Sequence, residues 1–254
     1  MLKGTLLCYF CIKRAMTKLS VNINKIATLR NARGGDQPNI LQVAKDAQEF
    51  GAHGITVHPR PDERHITYQD ARELPTVITT ELNIEGNPIP KFIDMVCAIK
   101  PHQVTLVPDA PDAITSNAGW DTEANCDFLK EVIQELKQQG IRTSIFLDSD
   151  AAQVEAAVKT GTDRIELYTK AYAQEYSKNP AKAIAPFVEA ATKAQEVGLG
   201  LNAGHDLSLD NIAFFAQQLP GLLEVSIGHA LICESLYFGL ENVINQYISK
   251  LSTH

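Results

Sequence analysis

The chain has 254 residues, of which 44% are apolar and 21% charged, with a formal net charge of -7. That composition suits an ordinary globular protein with a large core. The acidic balance argues against a nucleic-acid or anionic-membrane partner, because binding to phosphate backbones needs a basic face. No window approaches the roughly 18 apolar residues of a membrane span.

The first fifteen residues hold a short apolar run, 6–12, between Lys3 and Lys13-Arg14. It is too short for a signal peptide and lacks a small-residue cleavage site. Residues 1–15 are therefore expected to be a non-functional extension ahead of a second start at Met16, with 16–254 forming one domain. Cys8 and Cys11 form a CxxC in this segment, while Cys97, Cys126 and Cys233 are scattered. Neither a second ligand pair nor a redox-type βαβ context accompanies them, so incidental cysteines in a reducing cytoplasm are expected.

From Leu19 onward, short β-rich runs alternate with longer helical patterns, eight of each. The strands are expected at 19–24, 54–58, 82–85, 103–108, 142–148, 164–169, 199–203 and 223–228. Most read as apolar on both faces, the mark of buried parallel strands. Helices are expected at 40–50, 68–79, 89–100, 122–139, 151–160, 180–197, 209–218 and 234–251, the second interrupted by Pro75. Asp121, Asp150, Asn179 and Ser208 stand as caps, and Gly51, Gly140, Gly161 and Gly198 as stops. Eight βα units without a break in composition fit a single (β/α)8 TIM barrel. An open doubly wound sheet would want GxGxxG after its first strand, where the chain has Asn22-Ile-Asn-Lys-Ile.

Barrel enzymes assemble their sites at the carboxyl ends of the strands. Strand one brings Asn22, Asn24 and Lys25 there, followed by Arg30 and Arg33; strand two brings His58, Arg60 and His65. Glu85 ends strand three, Glu166 lies in strand six, and strands seven and eight run into Asn202-Ala-Gly-His205-Asp206 and Gly228-His229. Taken singly, each of these residues could equally be turn or cap chemistry. The coincidence of His58, Glu85 and His205 on one rim points to a reaction with several proton transfers. Glycine turns after strands seven and eight, with Arg33 and Arg60, favour a small phosphorylated substrate. No metal is expected, since strand one ends in Asn22-Ile23-Asn24 rather than His-x-His. The long segment 108–120, with the single tryptophan, reads equally as a lid or as an irregular loop. Two other classes stay open on the residues alone: an isomerase or aldolase barrel using Lys25 as a Schiff base, and a non-catalytic metabolite-binding barrel.

The runs 22–34 and 54–67, Asn83-Ile-Glu85, Leu106-Val-Pro108, Asn202-Ala-Gly-His205 and Ile227-Gly-His-Ala230 resemble the pyridoxine 5'-phosphate synthase family, in order from Leu19 to about Leu251. The resemblance implies a cofactor-free cytoplasmic enzyme, an octamer built from dimers. It would condense 1-deoxy-D-xylulose 5-phosphate with 3-amino-2-oxopropyl phosphate to give pyridoxine 5'-phosphate, phosphate and water. It further implies that His58 and Glu85 accept protons, His205 donates one, and Glu166 stabilises a transition state. Asn22, Arg33 and Gly228-His229 would hold the amino-ketone phosphate. Arg60, His65 and Thr115 would hold the sugar phosphate, with Asn24, Lys25 and Asp206 at further substrate-contact positions. This chain departs from many members in having Asn24-Lys25 for Asp-His, and from some in having Asp206 for Gly.

Overall fold

A computed structural model describes residues 16–109 and 118–252. Eight parallel strands close a barrel in sequential order. They are β1 (Lys18–Asn22), β2 (Gly54–Val57), β3 (Glu81–Gly86), β4 (Gln103–Leu106), β5 (Arg142–Leu147), β6 (Arg164–Tyr168), β7 (Gly200–Gly204) and β8 (Leu222–Ile227). Around them run α1 (Asn24–Asn31), α2 (Ile40–Glu49), α3 (Tyr68–Glu73), α4 (Pro90–Ile99), α5 (Cys126–Gln138) and α6 (Ala151–Ala157). The remainder are α7 (Lys170–Tyr176), α8 (Pro180–Glu196), α9 (Ile212–Gln218), α10 (His229–Phe238) and α11 (Leu240–Ser252). The expected (β/α)8 barrel is present. Residues 1–15, with Cys8 and Cys11, and residues 110–117, with Thr115, lie outside the described part.

Local chemistry explains most boundaries. The Asp150 and Asn179 side chains accept the Ala152 and Lys182 amides that open α6 and α8. Thr67 and Asp70 form a reciprocal capping box at α3. The four expected stop glycines all have positive φ, from 77° to 105°. Several boundaries differ from expectation. Asp121 caps a turn through the Ala124 amide, because Thr122 is engaged by Gln153, and α5 starts only at Cys126. The amide of Ser208 donates to Asn211 Oδ1, and α9 begins at Ile212. The expected helix 234–251 is two helices, broken at Gly239 with φ 80°. The short α1 and α7 each bury a single side chain, Ala27 and Tyr172, too few for a readable apolar stripe.

The larger correction concerns the strands, which are apolar on one face only. Leu19, Val21, Ile55, Val57, Leu82 and Ile84 join the core under the helices, while the alternate residues fill the barrel with polar groups. Ser20 and Thr56 hydroxyls meet at 2.7 Å, and Thr105 donates to Asn83 Oδ1 at 3.1 Å. Toward the amino-terminal end, Glu81 bridges Lys18 at 2.8 Å and Arg142 at 2.6 Å. Short strands hide this alternation, since four or five residues offer only two or three to each face.

Candidate active site

A cavity of about 710 Å³ opens at the carboxyl end of the barrel. Asn22, Asn24, Lys25, His58, Arg60, His65, Glu85, Glu166, His205, Asp206, Gly228 and His229 all line it, drawn together from six strands and the loops that follow them. Arg33 is not brought there; it is exposed two residues beyond α1. The other two described histidines serve the opposite role. His53 and His102 accept the Leu19 and Leu82 amides with their Nδ1 atoms, pinning the starts of β1 and β3.

Two asparagines tie the first three strands together. Asn22 Oδ1 accepts the Asn24 amide at 3.1 Å, and Asn22 Nδ2 donates to Glu85 Oε2 at 3.5 Å. Asn24, the first residue of α1, accepts the His58 amide on its Oδ1 at 2.9 Å. Gly228 is needed at the mouth of β8, where a Cβ would sit 3.1 Å from three atoms of the Asn22 side chain. His58 Nδ1 lies 4.0 Å from Glu85 Oε2, and its ring meets His65 edge-on, with centroids 6.1 Å apart.

Burial drives these groups to their neutral forms. His58 is held well below its ordinary value by burial, reinforced by the charges of Arg60, His65 and His205. Glu85 is pushed up by burial and by the charges of Glu166 and Asp109. His65 is lowered to about 4, first by burial and then by Arg60 and Lys25. Its Nδ1 accepts the Ile66 amide at 2.9 Å, so the proton of the neutral ring sits on Nε2 as a hydrogen-bond donor. Glu166 is pushed up to about 8 by burial and the nearby charge of Glu224. Beside it on β7, residue 204 is glycine, where a Cβ would stand 2.6 Å from Glu166 Oε1 and 2.9 Å from the Ser226 carbonyl oxygen.

Phosphate-binding chemistry frames the same cavity. Arg60 is buried and pairs with buried Asp109 at 3.1 Å. The amino terminus of α10 opens on it at Gly228-His229, where the amides of the first turn and the helix dipole favour an anion. Sequence reasoning missed Arg64, Thr28, Val107, Phe146, Ser226 and Ala230, which also line the cavity. Arg64 could have been found beside His65. Phe146 and Ser226 needed the strand alternation, and the buried Ser226 hydroxyl has no partner among the described residues. The far end of segment 108–120 is anchored: Trp120 is buried and donates its indole N–H to the Leu106 carbonyl at 3.0 Å.

Among the described residues, no group of three or more His, Cys, Asp or Glu side chains is placed to hold a metal ion. None of the described helices is long and apolar enough to cross a membrane.

A protein of Flavobacterium johnsoniae named pyridoxine 5'-phosphate synthase is 67% identical over 236 residues, covering 93% of this chain and all of that one. Its namesake from Parabacteroides distasonis is 62% identical over 238 residues, 94% of this chain and all of the relative. Among solved structures, phosphoribosyl anthranilate isomerase of Thermotoga maritima superposes with a TM-score of 0.58 at 14% identity, over 93% of this chain and all of that one. That likeness concerns the barrel alone. Residues 19–253 match the family model described as pyridoxal phosphate biosynthesis protein PdxJ, so the chain belongs to the PdxJ family.

Proposed function

We propose that this chain is a pyridoxine 5'-phosphate synthase, condensing 1-deoxy-D-xylulose 5-phosphate with 3-amino-2-oxopropyl phosphate to give pyridoxine 5'-phosphate, phosphate and water. The observation that carries the reading is the convergence of His58, Glu85, Glu166 and His205 on one cavity that also holds Arg60 and an open helix amino terminus. Joining an amine to a ketone, shedding phosphate, adding water, closing the ring and dehydrating it demands repeated proton movement. Each well-placed acid or base contributes roughly 10²–10⁴ in rate.

In this reading, neutral His58 offers an open nitrogen that accepts a proton, and Glu85, once it has given up its own proton, is a strong base, because burial and the charges of Glu166 and Asp109 raise its proton affinity. Glu166 in its protonated form donates a hydrogen bond to charge developing on substrate oxygen, and His205 delivers a proton. Arg60 and His65 Nε2–H hold the sugar phosphate, and the α10 amides hold the amino-ketone phosphate. Mixing both purified substrates with the protein and seeking pyridoxine 5'-phosphate by mass spectrometry tests the proposal; its absence from an active, folded preparation overturns it.

Lys25 stands exposed in the first turn of α1, at the cavity rim. It suits contact with the sugar phosphate rather than a buried amine chemistry. Lys25→Ala should raise KM for 1-deoxy-D-xylulose 5-phosphate, with kcat within about tenfold, as when uniform binding is lost. A collapse of kcat at unchanged KM, with borohydride trapping of an adduct, would instead make Lys25 a Schiff-base nucleophile.

The activity is assigned to residues 16–254 in the cytoplasm, without a cofactor, residues 1–15 taking no part. The assembly is a homo-octamer built from dimers. Supporting it, Leu236, Tyr237 and Phe238 at the end of α10 are 75%, 84% and 58% exposed in the isolated chain, an apolar surface of the kind oligomers cover. Light scattering that returned a monomer mass would overturn the assembly.

A further inference from the structure

His205 occupies a backbone conformation that favours glycine, with φ 95°. The conformation is held from both sides. Buried Thr169 donates its hydroxyl proton to the Gly204 carbonyl at 2.7 Å and accepts the Asp206 amide at 3.1 Å. The His205 amide donates to the Ser226 carbonyl at 3.3 Å. Because Thr169 takes the Asp206 amide, the backbone N–H of residue 206 is committed to the fold, and what residue 206 adds to the cavity is its carboxylate.

That carboxylate lies against the ring of its neighbour, with Asp206 Oδ2 2.7 Å from His205 Nδ1. The Tyr168 ring packs at right angles to the same imidazole, with centroids 5.1 Å apart. An ionised carboxylate can only accept, so Nδ1 carries the proton of that bond and proton exchange falls to Nε2. We propose that Asp206 is a positioning residue for the reaction: it selects the Nδ1–H tautomer of His205 and presents Nε2 to substrate. The proposal rests on the reading of His205 as proton donor. When His205 donates, the proton leaves Nε2 for substrate, and the neutral imidazole that remains is the tautomer whose Nδ1–H is already bonded to Asp206. The bond thus holds through the transfer, as the carboxylate of a catalytic triad does for its histidine.

The test compares the parent protein with Asp206→Ala in two measurements. Ring ¹⁵N chemical shifts, with the His205 signals assigned by His205→Gln, report the tautomer of the neutral ring. The parent should show Nδ1–H, and Asp206→Ala should shift the population to Nε2–H, the form an isolated histidine prefers. Steady-state kinetics should show kcat about tenfold lower in Asp206→Ala, less than the roughly 10²–10⁴ of a positioned acid or base because Asp206 acts only through His205, with KM for both substrates within about twofold. The side chains are 36% and 34% exposed, so solvent competes for the bond and limits the effect. An unchanged tautomer population in Asp206→Ala overturns the proposal, as does a rise in KM at constant kcat, which would make Asp206 a substrate contact. A changed tautomer with unchanged kcat would uphold the positioning by Asp206 and overturn instead the proton-donor role of His205.

Discussion

Glu85→Gln is expected to lower kcat by about 10²-fold or more, with the melting temperature unchanged or slightly raised. The amide keeps the shape of the side chain and can still receive the 3.5 Å hydrogen bond from Asn22 Nδ2 on its oxygen. It loses the proton that the carboxyl can give up and take back. The carboxyl lies 4.0 Å from His58 Nδ1, close enough for both groups to serve one substrate, as the proposed sequence of transfers requires. Stability does not suffer, because burial and the charges of Glu166 and Asp109 already disfavour the ionised form. Steady-state kinetics with both substrates saturating measures the effect, and an unchanged kcat would return Glu85 to a purely structural role.

Glu166→Gln is expected to change stability more than any other single substitution proposed here, and only on the alkaline side. The carboxyl is held at about 8 in the fold against 4.5 when unfolded. Between those values the folded chain binds more protons than the unfolded one, so stability falls as pH rises through the window. At 1.36 kcal/mol per unit, the ceiling is about 5 kcal/mol. The Thr105 hydroxyl, shared between Asn83 Oδ1 at 3.1 Å and Glu166 Oε2 at 3.4 Å, favours the carboxylate by less than burial and Glu224 disfavour it. The glutamine variant should therefore match the parent near pH 4.5 and exceed it at pH 8.5 in urea midpoint. Glu85 and Glu224, also raised, keep part of the slope in the variant. His65 works in the opposite direction: at about 4 in the fold against 6.5 unfolded, it makes stability rise with pH between those values. Parent and variant that track each other across the whole range would show that Glu166 is ionised in the fold.

The regular elements were readable to different depths. All eight strands were legible because a β-rich run bounded by caps and glycines is a local signal, repeated eight times with even spacing. The short α1 and α7 were not, since a helix of seven or eight residues that buries one side chain has almost no periodic pattern. The polar filling of the barrel was missed for a related reason. Alternation over four residues is ambiguous until the closed sheet shows which face turns inward.

For the site, the sequence by itself determined the barrel, the rim and most of the titratable side chains that stand at it, because strand ends in a (β/α)8 barrel necessarily meet at one face. It also carried the family resemblance through contiguous runs such as 54–67. The tertiary structure decided what no local pattern contains: that Asn24 turns its amide oxygen to the His58 backbone, that Arg33 is exposed and does not line the cavity, and that Asp206 bonds His205 instead of offering its amide. Those outcomes depend on which of several hydrogen-bond partners comes within about 3 Å once the strands are in register. The proton affinities of Glu85 and Glu166 likewise follow from burial and from carboxylates on other strands, so only the closed barrel sets them.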